Sequence, residues 1–336
     1  MNITDGTRLN LCWKILRLGN MKKETELLIE KIKSANTILL VAHKNLDGDA
    51  LCSMLALYQL IYLNYGKECV CVYDGNMPEY LHYVPLRGRA HFFSNIDLSA
   101  PFDLAVLLDY GTIRNIGGPL DAINNAKYVA EIDHHKKDAM LGELCIDDIT
   151  ASATACVLYD LMIDAGWKYD DKVLNLLAVG ILTDTGDFKF VRDGRALRIM
   201  ADLVDKGVEI QPLLELLNNK TRKTIQTEAR AVADAEFFYK NRLVIATIDA
   251  SAYKNLDGRG ASALALLGQI KGVDYIVLLK EQKANQIGVS LRSKIKPINQ
   301  IAEKLGGGGH VCAAGAVVQD SLENVKKQII DLFKGV

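Results

Sequence analysis

Three short apolar runs in this chain each end on acids or imidazoles, and that arrangement constrains the fold more than any other feature. Residues 37–42 form a β-branched and apolar run that leads into His43, Asp47 and Asp49. Residues 103–108 end at Asp109, and residues 128–132 end at Asp133, His134 and His135. Runs of this length and composition read as buried strands, whereas residues 50–58 and 174–182 read as buried helices. Strands alternating with helices predict an α/β fold whose N-terminal part is a doubly wound, mainly parallel sheet. In such a sheet the loops at the carboxyl ends of the strands line the ligand crevice, so these polar clusters are expected to face one cavity.

The second long apolar segment, residues 174–182, delivers Asp184 at its end. Burying one unpaired carboxylate is costly, and gathering several is prohibitive unless a cation neutralises them. A binuclear metal site is therefore expected. Oxygen-rich ligation with a minority of imidazole favours Mn²⁺, with Mg²⁺ as the alternative, over structural zinc, which would recruit thiolates. The cysteines agree with that choice. There are seven, an odd number with no C-x-x-C pair, which points to a reducing, cytoplasmic setting without a disulfide framework.

The distal part of the chain reads as a smaller α/β domain with a mixed sheet, built on strands at residues 242–248, 275–279 and 287–293. A glycine run, Gly306, Gly307, Gly308 and Gly309, precedes His310. It is open to two readings, a flexible loop or a cradle whose bare amides admit a phosphate. Arg292 offers a planar fork suited to phosphate, or is a solvated arginine. Arg114, in the loop after Asp109, is a further candidate phosphate contact, and Ser152 is either such a contact or a helix cap.

The expected division is an N-terminal extension over residues 1–20, a metal-binding domain over 21–212, a helical linker over 213–240 and a second domain over 241–336. The apolar patch in residues 9–18 is too broken for a signal peptide. No apolar run approaches about 18 residues, so no membrane association is expected. The formal net charge is −1, which supplies no global field for tracking long nucleic acid. Residues 271–312, however, hold seven lysines and arginines against three acids, a local excess suited to a short anionic substrate.

Taken in order, His43-x-x-x-Asp47-Gly48-Asp49, Asp109, Asp133-His134-His135 and Asp184 resemble the four motifs of the DHH phosphoesterases. Gly306 to His310, followed by Ala313-Ala314-Gly315, resembles the signature of the DHH-associated C-terminal domain. Within that family the chain looks most like the two-domain nanoRNase and PAP phosphatase type. The resemblance implies that His43 and Asp47 hold one cation, that Asp49, His134 and Asp184 hold the other, and that Asp109 bridges them. It further implies that Asp133 orients an imidazole, that His135 faces the phosphate, and that Arg292 and the glycine run bind substrate. The implied reaction is hydrolysis of short RNA to 5′-mononucleotides and dephosphorylation of 3′,5′-bisphosphonucleotides, by two-metal activation of a bridging water. Linear dinucleotides from cyclic-dinucleotide turnover are an alternative substrate. A pyrophosphatase, a polyphosphatase and a non-catalytic nucleic-acid-binding module are the other readings, and a homodimer is compatible with all of them.

Overall fold

The computed structural model describes residues 22–334 apart from 45, 138, 257–259 and 296, so the expected extension over residues 1–20 lies outside the described residues. The chain divides into two compact units, one up to Asn219 and one from Lys220.

The first unit is built on six parallel strands, β1 (Ile38–Ala42), β2 (Val70–Tyr73), β3 (Ala90–Phe92), β4 (Leu104–Leu108), β5 (Val129–Asp133) and β6 (Leu144–Asp147). Their order is β3-β2-β1-β4-β5-β6, and every pairing among them is parallel. The order reverses between β1 and β4, which makes the gap beyond their carboxyl ends the topological switch point. Alternate strand residues enter different cores. Leu40 and Val106 pack with α2 (Gly48–Tyr65), α4 (Thr154–Asp164) and α5 (Asp171–Thr185), whereas Leu39, Val41 and Leu107 pack with Ile123 of α3 (Leu120–Asn124). Burial on both faces explains why these strands read as continuous apolar runs. A helix over residues 22–34, here α1, precedes β1, and α6 (Arg195–Asp205) and α7 (Ile210–Asn218) complete the unit.

Helices α2 and α5 approach closely because two glycines remove the side chains that would hold them apart. A Cβ on Gly48 would lie 2.4 Å from Thr183 Cγ2 and Oγ1, and one on Gly180 would lie 2.8 Å from Asp49 Oδ1. Gly48 is the first residue of a helix capped by Asp47. Its freedom from a Cβ serves packing.

The second unit carries a mixed sheet of β7 (Glu236–Phe238), β8 (Leu243–Ile248), β9 (Tyr275–Lys283), β10 (Gln286–Ser293), β11 (Gly308–His310) and β12 (Ala313–Gln319). The order is β11-β12-β10-β9-β8-β7, with β8 and β9 parallel and the other pairs antiparallel. On one face, residues of α8 (Arg222–Ala233) and α10 (Ala261–Gln269) pack with Val244 and Leu278. On the other, residues of α11 (Asn299–Lys304) and α12 (Leu322–Leu332) pack with Leu243 and Leu291. The short α9 (Ala250–Tyr253) follows β8. Residues 213–240, read as one helical linker, are divided between the units. They comprise the end of α7, then α8, then the edge strand β7.

Candidate metal and phosphoryl-transfer site

Asp47 does two things at the mouth of the β1–α2 loop. Its Oδ1 accepts the Ala50 amide at 3.1 Å and so caps α2, while Oδ2 lies 3.5 Å from His43 Nε2. Asp49 follows inside the first turn of α2 and is buried. Its carboxylate accepts the Thr154 and Ala155 amides at 2.6 and 2.9 Å, so the positive end of α4 faces it.

Asp109 leaves the end of β4 with φ of 56°, a left-handed conformation that aspartate tolerates better than most residues. That turn places its Oδ2 3.7 Å from His43 Nε2 and its Oδ1 3.4 Å from both His134 Nε2 and His135 Nδ1. Thr154 Oγ1 donates to Asp109 Oδ1 at 2.8 Å. Asp133 ends β5, fully buried, and accepts the Gly111, His134 and His135 amides at 3.0, 2.7 and 2.9 Å. Burial opposes its charge, but His135, Lys137 and these donors hold its carboxyl well below the usual carboxylate range. His135 Nδ1 donates to Asp133 Oδ1 at 2.9 Å. Against the cost of burial, hydrogen bonds and charge from Asp109 and Asp133 push the His135 pKa up to about 11.

Three donor groups form at the switch point: His43, Asp47 and Asp109; Asp49, His134 and Asp184; and Asp109, His134 and His135. Within each, one ligand atom per residue lies within 4.8 Å of the others. Asp184 reaches the cluster from the last turn of α5, with Oδ2 3.4 Å from His134 Nε2. Burial, then the neighbouring Asp109 and Asp47, push its pKa up to about 8, and burial with the same crowding of acids raises Asp49 strongly. His134 Nδ1 donates to Ala151 O at 3.3 Å, an arrangement that turns the Nε2 lone pair toward Asp109 and Asp184. Burial lowers the His134 pKa to about 4, keeping the ring neutral as a ligand must be. Crowded acids that burial would protonate, beside an imidazole held neutral in a fixed tautomer, are a donor set that fits divalent cations. No thiol belongs to these groups, which agrees with a hard cation.

A fourth group, Glu131, Cys145 and Asp147, already contains its own cation. Lys137 Nζ, on a buried side chain, lies 2.6 Å from Glu131 and 3.0 Å from Asp147, with Asp133 at 3.5 Å. Glu131 also accepts the Leu141 and Gly142 amides at 2.5 and 2.6 Å, tying the loop after the two histidines to β5. The sequence places Glu131 inside an apolar run with no visible partner.

Ser152 is buried, and its Oγ accepts the Arg192 amide at 3.0 Å; α4 is capped without it. Arg114 is exposed in a turn, Ile113–Asn115, whose Asn115 carbonyl accepts the Lys44 amide. In the second unit Arg292 lies on β10, with Nη1 donating to Leu291 O at 2.9 Å. The β-sheet register puts Arg292, Ala313 and His310 in one row across three strands. The glycine run divides by role. A Cβ on Gly307 would lie 2.1 Å from Gly315 O, and one on Gly309 would lie 2.6 Å from Ala314 Cα, whereas at Gly308 nothing lies within 4 Å. Gly306 ends α11 with φ of 75°, so close packing and a left-handed turn account for three of the four.

The chain carries two α/β units, the first with donor groups that fit cations at its switch point, and the comparisons give its family. Residues 37–181 match the DHH family, N-terminal domain, and residues 242–335 match the DHHA1 domain; the chain is a DHH–DHHA1 protein. It is similar to a protein of Thermus thermophilus named bifunctional oligoribonuclease and PAP phosphatase NrnA, 29% identical over 93% of this chain and 94% of the relative. A Bacillus subtilis protein of the same name is 25% identical over 87% of this chain and 92% of its own length. The fold is shared with an exopolyphosphatase-related protein from Bacteroides fragilis, at TM-score 0.84 and 20% identity over 93% of this chain and 96% of that one.

Proposed function

We propose that this protein is a metal-dependent phosphoesterase that hydrolyses oligoribonucleotides of a few nucleotides to 5′-mononucleotides and removes the 3′-phosphate of 3′,5′-bisphosphonucleotides such as PAP. The observation that carries this reading is the pair of donor groups, His43–Asp47–Asp109 and Asp49–His134–Asp184, held at the switch point of a DHH fold. The activities in the names of the Thermus and Bacillus relatives supply the substrate class. His43 and Asp47 would hold one cation and Asp49, His134 and Asp184 the other, with Asp109 between them; Mn²⁺ suits the donor set. Bound there, two cations supply Lewis acidity toward phosphoryl oxygens and make water a stronger acid.

The protein's own groups do the rest. Thr154 and the α4 amides fix Asp109 and Asp49, so the carboxylates need little rearrangement. Asp133 orients His135, whose imidazolium is placed to protonate the leaving oxygen or to balance charge on the phosphate. Arg292, Arg114 and the Gly308 amide are the groups we assign to the remaining phosphates and sugar of the substrate.

The test uses purified protein loaded with Mn²⁺ and presented separately with a ribodinucleotide, PAP, a linear dinucleotide of the cyclic-dinucleotide type, and pyrophosphate. Mononucleotide release from the first and orthophosphate from the second are expected, both abolished by EDTA and by Asp109→Ala. A protein that binds two equivalents of metal yet cleaves neither substrate would overturn the reading; pyrophosphate as the sole substrate would replace it with a pyrophosphatase.

A further inference from the structure

After α5 the chain folds back through Gly186, Asp187 and Phe188, which have φ of 55°, 56° and 66°. Three consecutive left-handed residues, two of them not glycine, mark a locally costly turn that its surroundings must hold. Its product is the placement of Arg192. The Arg192 amide donates to the buried Ser152, and Arg192 Nη1 donates to His134 O at 3.4 Å and to Ile149 O at 2.8 Å. The guanidinium is thus pinned by two neutral carbonyls, one belonging to a residue of the metal cluster.

Arginines beside several carboxylates ordinarily form two-pronged ion pairs with them. Arg192 does not: among the described residues no carboxylate oxygen lies within ion-pair distance of it, and its Nε and Nη2 make no hydrogen bond. A cation held in place through one nitrogen, with donors to spare and no acid partner, is a ready oxyanion ligand. We propose that Arg192 is a substrate-contacting residue of the metal domain, whose remaining N–H groups donate to a non-bridging oxygen of the phosphate being cleaved. This rests on the phosphoesterase reading above.

The alternative is a structural pin that only ties residues 149–152 to the loop after α5. The two are separated by Arg192→Met, Arg192→Lys and, as a comparison, Arg292→Ala, each loaded with Mn²⁺. Loss of a charge-assisted contact to phosphate predicts a fall of roughly 10–100-fold in kcat/KM for Arg192→Met. The fall should be similar for a ribodinucleotide and for bis(p-nitrophenyl) phosphate, which shares only the diester, and Mn²⁺ affinity by calorimetry should stay within about twofold. Arg292→Ala should affect the dinucleotide alone. Guanidinium ion added at millimolar concentration should restore part of the Arg192→Met rate, and Arg192→Lys should restore less than wild type because it lacks the fork. Loss of Mn²⁺ affinity and thermal stability in step with activity, without guanidinium rescue, would overturn the proposal in favour of the pin.

Tungstate binding to the metal-loaded protein separates this proposal from the substrate reading. If wild type cleaves no dinucleotide but binds tungstate at least about tenfold more tightly than Arg192→Met, the oxyanion contact stands and only the substrate class falls. Equal tungstate binding by both proteins would sink the contact itself.

Discussion

Asp103 shows how a single half-buried acid helps to assemble the site from the opposite end of the sheet. It accepts the Asn36 and Thr37 amides at 2.8 and 3.1 Å and the Lys127 ammonium at 2.8 Å, joining the entrance of β1 to that of β4. Those are the two strands whose far ends carry His43 and Asp109, and their register, Ile38 opposite Leu104, follows directly. The Lys127 ammonium, then the two amides, hold the Asp103 pKa down to about 2. A carboxyl depressed on folding contributes stability that is fully present above its unfolded pKa of about 3.9 and is lost as pH falls through the folded value. Asp103→Asn should therefore be less stable than wild type at pH 7, and the gap should close between about pH 4 and pH 2. Urea denaturation of both proteins across that range measures it; a gap independent of pH would mean that the carboxylate charge is not what holds the strands. At this scale the sequence displays the residue types but few of the partners. Glu131 finds its partners in Lys137 and the Leu141 and Gly142 amides, and Arg192 meets His134 O across 58 positions.

Among the elements, α2 and α5 matter most, because Asp49 and Asp184 come from them. Their closeness depends on Gly48 and Gly180, where a Cβ would collide with Thr183 and with Asp49 itself. Gly48→Ala should cost about 1–3 kcal/mol by overpacking and should weaken metal binding by separating Asp49 from Asp184. Denaturation and calorimetric titration of the same variant check both parts, and stability loss with unchanged metal affinity would show that the helices shift without moving the carboxylates. The strands were legible in the sequence because both faces are buried, so Leu39, Leu40 and Val41 are all apolar. The second unit was less legible at its margins. β7 is three residues long and mostly exposed, and β11 is made of the last two glycines of the run and His310, which carry no hydrophobic pattern to read.

At the scale of the whole molecule, the donor groups that fit cations, among the described residues, draw on the first unit alone. A ligand that binds the native state stabilises it by mass action, by about 2.7 kcal/mol at a hundred times its dissociation constant. Mn²⁺ should accordingly slow amide hydrogen exchange in β4, β5, α4 and α5, and EDTA should reverse the effect, while β8, β9 and β10 exchange at unchanged rates. Equal protection of both units would show that their stabilities are coupled. What the sequence determined by itself was the sheet class and the kind of residue at each strand end, because both follow from local pattern: unbroken apolar runs for strands buried on two faces, and acids or imidazoles where those runs stop. Only the tertiary structure decided which ends meet. The β3-β2-β1-β4-β5-β6 order sets His43 beside Asp109, glycine-mediated contact of α2 with α5 brings Asp49 to Asp184, and the turn after α5 carries Arg192 to the carbonyl of His134. Each of these is a contact between residues far apart in the chain, set by packing that no local pattern encodes.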